Sequence, residues 1–100
     1  MAQKNTVEVK RELEQLIPRF LANCQKGIAT MRDVLPQRDF KQVRTIGHKL
    51  KGAGGGYGFP AITAFGARIE EAAERRDDAG IALCLDEYAA YVASIEVVFV

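Results

Sequence analysis

Apolar residues recur at spacings of three and four along most of the chain. Ile17, Leu21, Cys24, Ile28, Met31 and Leu35 form one such series. Phe40, Val43, Gly47, Leu50, Gly54 and Tyr57 form a second, and Ile62, Phe65, Ile69 and Ala72 a third. Ile81, Leu85, Tyr88, Val92, Ile95 and Phe99 form the last. Such spacing puts each series on one face of a helix. Four stripes joined by short breaks predict an all-α fold, an antiparallel four-helix bundle. No alternating strand pattern competes with them.

The breaks carry helix punctuation. Pro18 suits a first helical turn, or the kink of a helix that begins near Val7. The segment before Pro18 predicts a short extra N-terminal helix packed across one end of the bundle. Pro36 ends the first long stretch. Asp39, with Gln42 three residues later, resembles a capping box for the next. The glycines up to Gly58 mark a turn, and Pro60 stands near the start of the following helix. Asp77 and Asp78 are caps for the last helix.

Composition narrows the function classes. One hundred residues make a single domain, spanning 1–100. The net charge of +1 gives no basic excess for nucleic acid. No apolar run approaches the roughly 18 residues of a membrane span, so no membrane insertion is expected. MAQKNTVEVKRELEQ is too polar for a signal peptide. Cys24 and Cys84 make neither a disulfide framework nor a ligand cluster, and one histidine adds too little for a metal site. They read as buried reduced thiols, which points to a cytoplasmic protein. The starting Met1 favours a free-standing protein.

The candidate chemistry lies in HKLKGAGGGYG, His48–Gly58, which holds the single histidine and five of the nine glycines. On one helix face His48 has Lys41, Arg44, Thr45, Lys51, Gly52 and Gly55 as neighbours. That strip is polar, cationic and open. Histidine is a covalent nucleophile, and a phosphoryl group on its ring finds Lys51 one turn away as a charge-assisted donor. Gly52 leaves a gap for a phosphate and a partner, and Gly55 extends the open strip. Gly47 and Gly54 fall on the core side, where they allow close helix packing. Gly56 and Gly58 are chiefly turn residues. A turn centred near Phe59 sets His48 opposite Glu70, which then accepts a hydrogen bond from one ring nitrogen or stays as solvated surface charge.

TIGHKLKGAGGGYGFPAITAFGARIEEAAERRD resembles the histidine phosphotransfer (HPt) domain of multistep phosphorelays. The likeness rests on H-x-L-K-G, here His48, Leu50, Lys51 and Gly52, on Gly58 six residues further, and on the downstream pair Ile69 and Glu70. The resemblance implies that the outer ring nitrogen of His48 is phosphorylated from a receiver domain's aspartyl phosphate and passes the group to another receiver. It implies Lys51 as the phosphate-stabilising cation and Gly52 as the access glycine. Arg44 and Gly55 join them on the docking strip. Glu70 stands where many members carry Gln, as a residue that orients the imidazole. It implies a monomeric phosphocarrier without kinase activity and with no cofactor of its own, Mg²⁺ being expected in the partner receiver.

Three other readings compete with this one. In the dimerisation helix of histidine kinases an acidic residue follows the histidine and a proline stands five positions on; here those positions hold Lys49 and Ala53. A nucleotide loop fails because no G-x-G-x-x-G register fits and no strand precedes it. A phosphorylation-independent helical adaptor or structural bundle, with His48 idle, is the alternative that composition alone leaves standing.

Overall fold

The structure is a computed structural model and describes residues 4–100. Four helices make up most of it: α1 (Ile17–Val34), α2 (Phe40–Ala53), α3 (Pro60–Glu74) and α4 (Asp78–Ser94). Two short strands, β1 (Asn5–Val9) and β2 (Ile95–Phe99), pair in parallel, with Asn5 opposite Ile95 and Val9 opposite Phe99.

Local chemistry sets the helix ends. Pro18 stands in the first turn of α1, where a missing N–H loses no helical bond. The Asp39 carboxylate caps α2 by accepting from the Gln42 N–H at 3.2 Å. Asp77 caps α4 in the same way, from the Gly80 N–H at 3.0 Å. Asp78 does not cap; it pairs with Arg38 at 2.6 Å. Pro60 opens α3, and Gly58 just before it has φ 92°, a left-handed conformation that glycine adopts without steric penalty.

The helices share one core. Met31, Ile62, Ile69, Ile81, Leu85 and Tyr88 are fully buried in it, and each of the first five side chains stabilises the fold by about 1.5–3 kcal/mol. Phe20 of α1 stacks on Tyr57 (ring centroids 4.4 Å apart) and on Phe59 (5.6 Å), which ties the glycine-rich turn to α1. Cys24 and Cys84 are free and buried, and burial pushes both thiols up. Among the described residues, no helix is long and apolar enough to cross a membrane.

The two chain ends depart from the expected helices. Residues 5–9 form a strand and Arg11–Leu13 a single 3-10 turn, in place of a short N-terminal helix; the first three residues of that segment lie outside the described ones. Val7 and Val9 alternate with exposed Thr6 and Glu8, the period of a strand. The final stripe likewise stops being helical at Ser94. Ile95, Val97 and Phe99 are half-buried and alternate with exposed Glu96 and Val98. Ile95 and Phe99 share a face at a separation of four in either conformation, so spacing alone does not decide between them. The β-branched residues and a partner strand do.

Helices α2 and α3 make the closest pairing, and glycines make it possible. A Cβ on Gly47 would lie 2.8 Å from the Glu70 nitrogen and 3.0 Å from the Gly66 oxygen. One on Gly54 would lie 2.6 Å from the Thr63 nitrogen and 2.9 Å from the Phe59 oxygen. One on Gly66 would lie 2.7 Å from the Gly47 oxygen. Going along α2 from Gly47 to Gly54, the contacts on α3 go back from Glu70 to Thr63, so this pair runs in opposite directions.

Candidate functional site

The buried positions of α2 are Phe40, Val43, Gly47 and Leu50. They fix the rotation of the helix about its axis and so turn His48 outward, with 69% of its side chain exposed. The residues at i−4 and i−3, Arg44 and Thr45, line with His48 and Glu70 an open cavity of about 350 Å³. Helical side chains lean toward the N-terminus of their helix, which is why the ring overlies that turn. The Thr45 hydroxyl donates to the Lys41 carbonyl at 3.0 Å.

Glu70 enters from α3 with only 15% of its side chain exposed. Its two oxygens are both occupied. Oε2 is 2.7 Å from His48 Nδ1, and Oε1 is 2.8 Å from Lys51 Nζ. The Lys51 hydrogen bond, and after it the His48 one, hold the Glu70 carboxyl below the ordinary value of 4.5. The same bond to Glu70 pushes the Lys51 ammonium up. An ionised carboxylate only accepts hydrogen bonds, so Nδ1 carries the hydrogen. In the neutral imidazole the lone pair is then on Nε2, at the opposite edge of the ring. The arrangement holds an imidazole in one tautomer and one orientation, with its second nitrogen free to act as a nucleophile.

The remaining residues singled out in the sequence divide. Gly52 follows His48 by one turn, and a Cβ there would meet nothing within 4 Å, so the strip beside the ring is open. Gly55 lies past the end of α2, in a 3-10 turn over Gly55–Tyr57. It is exposed, but its N–H donates to the Thr63 hydroxyl at 2.8 Å, so it faces α3 and not only the open strip. Gly47 and Gly54 are both packed against α3.

Two residues that shape the site were not singled out in the sequence. Gly66 completes the glycine seam that lets Glu70 approach His48 and Lys51. A glycine in mid-helix is a visible signal of close packing. Thr63 donates its hydroxyl to the Lys51 carbonyl at 3.1 Å. Nothing in the spacing marks it, because its role depends on how α3 lies against the end of α2.

No curated protein and no solved structure matches the chain. The family model described as Hpt domain does match, over residues 11–96. That span takes in all four helices, the histidine on α2 and the carboxylate that meets it from α3. The chain belongs to the Hpt domain family.

Proposed function

We propose that His48 is the phosphorylated residue of a phosphorelay, exchanging a phosphoryl group with the aspartates of receiver domains. Hpt domains are histidine phosphotransfer modules, carriers and not kinases. The observation that carries the reading is the tethered ring: Nδ1 donates to Glu70 at 2.7 Å while the side chain stays 69% exposed. Nε2 then has a lone pair, an approach path and a fixed direction.

In the forward step the Nε2 lone pair attacks the phosphorus of an aspartyl phosphate. The N–P bond forms as the P–O bond to the aspartate breaks, and the carboxylate leaves with the receiver. The ring takes up positive charge, which the Glu70 carboxylate offsets through the Nδ1 hydrogen. Both Glu70 oxygens are engaged by donors, which lessens repulsion of a phosphoryl group on the far nitrogen. Lys51 supplies the cation that stabilises that group. The reverse step returns the phosphoryl group to a second receiver. Receiver-bound Mg²⁺ offsets charge in the loose transition state, and the domain's own contribution is chiefly positioning.

The open space at Gly52 supports access of a receiver to His48. The open strip around His48, with Arg44, Lys51 and Gly52, is the docking surface in our reading. The chain acts as a monomer, and its free buried thiols support a cytoplasmic setting.

The test is to mix the chain with a labelled, phosphorylated receiver domain and Mg²⁺. An acid-labile, alkali-stable label is expected on the wild-type chain and not on His48→Gln. No label is expected from Mg-ATP alone. Equal labelling of His48→Gln, or strong labelling from ATP, contradicts the proposal.

A further inference from the structure

We propose that Thr63 is a positioning residue for Lys51, acting through a hydroxyl inserted into the last turn of α2. The inference rests on the phosphotransfer reading of His48 and Lys51 and adds to it a residue from the neighbouring helix.

In an uninterrupted helix the Lys51 carbonyl accepts from the N–H four residues on, that of Gly55. Here the preceding bond of that ladder is intact, with the Gly54 N–H on the Leu50 carbonyl at 3.0 Å. The next is not. The Gly55 N–H donates to Thr63 Oγ1 at 2.8 Å, and Thr63 Oγ1–H donates to the Lys51 carbonyl at 3.1 Å. One hydroxyl thus stands between the two groups that would otherwise bond each other, and it satisfies both. A hydroxyl has the one donor and the acceptor capacity that this requires. The chain leaves α2 at that point and turns into the 3-10 segment Gly55–Tyr57.

Thr63 and Glu70 are seven residues apart on α3, two helical turns along one face. Together they hold Lys51 at both ends. Thr63 takes its carbonyl and Glu70 its ammonium. The backbone of α2 is pressed close to Thr63, since a Cβ on Gly54 would lie 2.9 Å from Thr63 Oγ1. The hydroxyl therefore fixes where the turn bearing Lys51 ends and in which direction its side chain starts toward Glu70 and His48. Without it, the Lys51 carbonyl and the Gly55 N–H are free to close the helical bond between themselves. The turn that carries Lys51 and Gly52 then rearranges.

The experiment compares Thr63→Val, which keeps the side-chain shape and removes the hydroxyl, with Thr63→Ser, which restores it. Each full chain, with Lys51→Ala and the double variant Thr63→Val/Lys51→Ala, is labelled from a phosphorylated receiver with Mg²⁺. Transfer rate and phosphohistidine lifetime are then followed. Loss of a hydrogen bond of this kind predicts a change of roughly three- to tenfold in Thr63→Val, with Thr63→Ser near wild type. The double variant is expected to match Lys51→Ala, because Thr63 acts through Lys51. Amide exchange at Gly55 reads the inserted hydroxyl directly and is expected to change in Thr63→Val only. Wild-type rates in Thr63→Val, or a Thr63 effect of full size in the Lys51→Ala background, overturn the inference while leaving His48 as the carrier. If Thr63→Val fails to fold, Thr63→Ser showing a loss as large as Lys51→Ala overturns it too. A wild-type chain that takes no label overturns the phosphotransfer reading and this role with it.

Discussion

Gly66→Ala adds one methyl group where α3 crosses α2. Built onto the backbone, that carbon lies 2.7 Å from the Gly47 oxygen and 2.9 Å from the Leu50 carbonyl carbon, and closest to the Lys51 nitrogen. Every one of these neighbours is backbone, so no side chain can swing aside. Ordinary contact begins at 3.4 Å, and the helices must part by more than about 0.7 Å to reach it. Overpacking of this kind costs about 1–3 kcal/mol. The better helix propensity of alanine returns about 1 kcal/mol. With only backbone in contact the cost lies in the upper part of that range, so the expected net loss is about 1–2 kcal/mol, a fall in Tm of roughly 5–15 °C for a domain of this size. Urea unfolding followed by far-UV circular dichroism measures it. The same parting stretches the Glu70 bonds to His48 and Lys51, now 2.7 and 2.8 Å, past the range of good hydrogen bonds, so phosphoryl transfer falls as well. A Gly66→Ala chain as stable as wild type, with an unchanged m-value, refutes the close approach of these two helices and the reason given for Glu70's place in the site.

Gly52 predicts the opposite. With nothing within 4 Å of its would-be Cβ, Gly52→Gln is expected to keep or raise stability by a few tenths to about 1 kcal/mol while slowing labelling from a receiver; a loss of helicity by circular dichroism contradicts the access role. For Glu70 the pH dependence has a definite sign. Its folded pKa is depressed, so its contribution is complete above the ordinary 4.5 and is lost as pH falls through the depressed value. The Tm difference between wild type and Glu70→Gln is therefore expected to shrink from pH 6 toward pH 3, and a gap that does not change with pH counts against the ionised bridge. Tyr88 is fully buried with a hydroxyl that finds no full hydrogen bond; the neighbouring Cys24 thiol is a weak partner. Tyr88→Phe is expected to raise stability by about 1 kcal/mol in urea titrations, and a comparable loss would mean that the thiol contact is a true hydrogen bond.

The helical part of this molecule was legible because amphipathic spacing is local. Stripes through Ile62 and Ile81 predicted their helices from neighbouring residues alone, and Asp39, Pro60 and Asp77 marked real ends. Even the meeting of His48 with Glu70 followed from counting equal distances on either side of the turn near Phe59. The strands were not legible. Each has five residues, and its partner lies about ninety positions away, so pairing depends on where the bundle brings the two chain ends. Within the α1 stripe the seam is also shifted, with Phe20 and Val34 buried where Leu21 and Leu35 were expected. Thr63 was silent for a similar reason. A threonine in a helix is common, and only the approach of α2 gives its hydroxyl two partners. The glycines could be read in part: Gly47 and Gly54 fell on the core side by spacing, whereas the close contact made by Gly66 needs the position of the second helix.

The central claim is that Glu70 ties up one ring nitrogen of His48 and leaves the other to carry the phosphoryl group. NMR of the chain phosphorylated by a receiver, with ¹⁵N in the imidazole and ³¹P in the phosphoryl group, assigns the N–P bond to one nitrogen. The account predicts the bond at Nε2, with Nδ1 still bearing its hydrogen toward Glu70. A phosphoryl group on Nδ1 would contradict it.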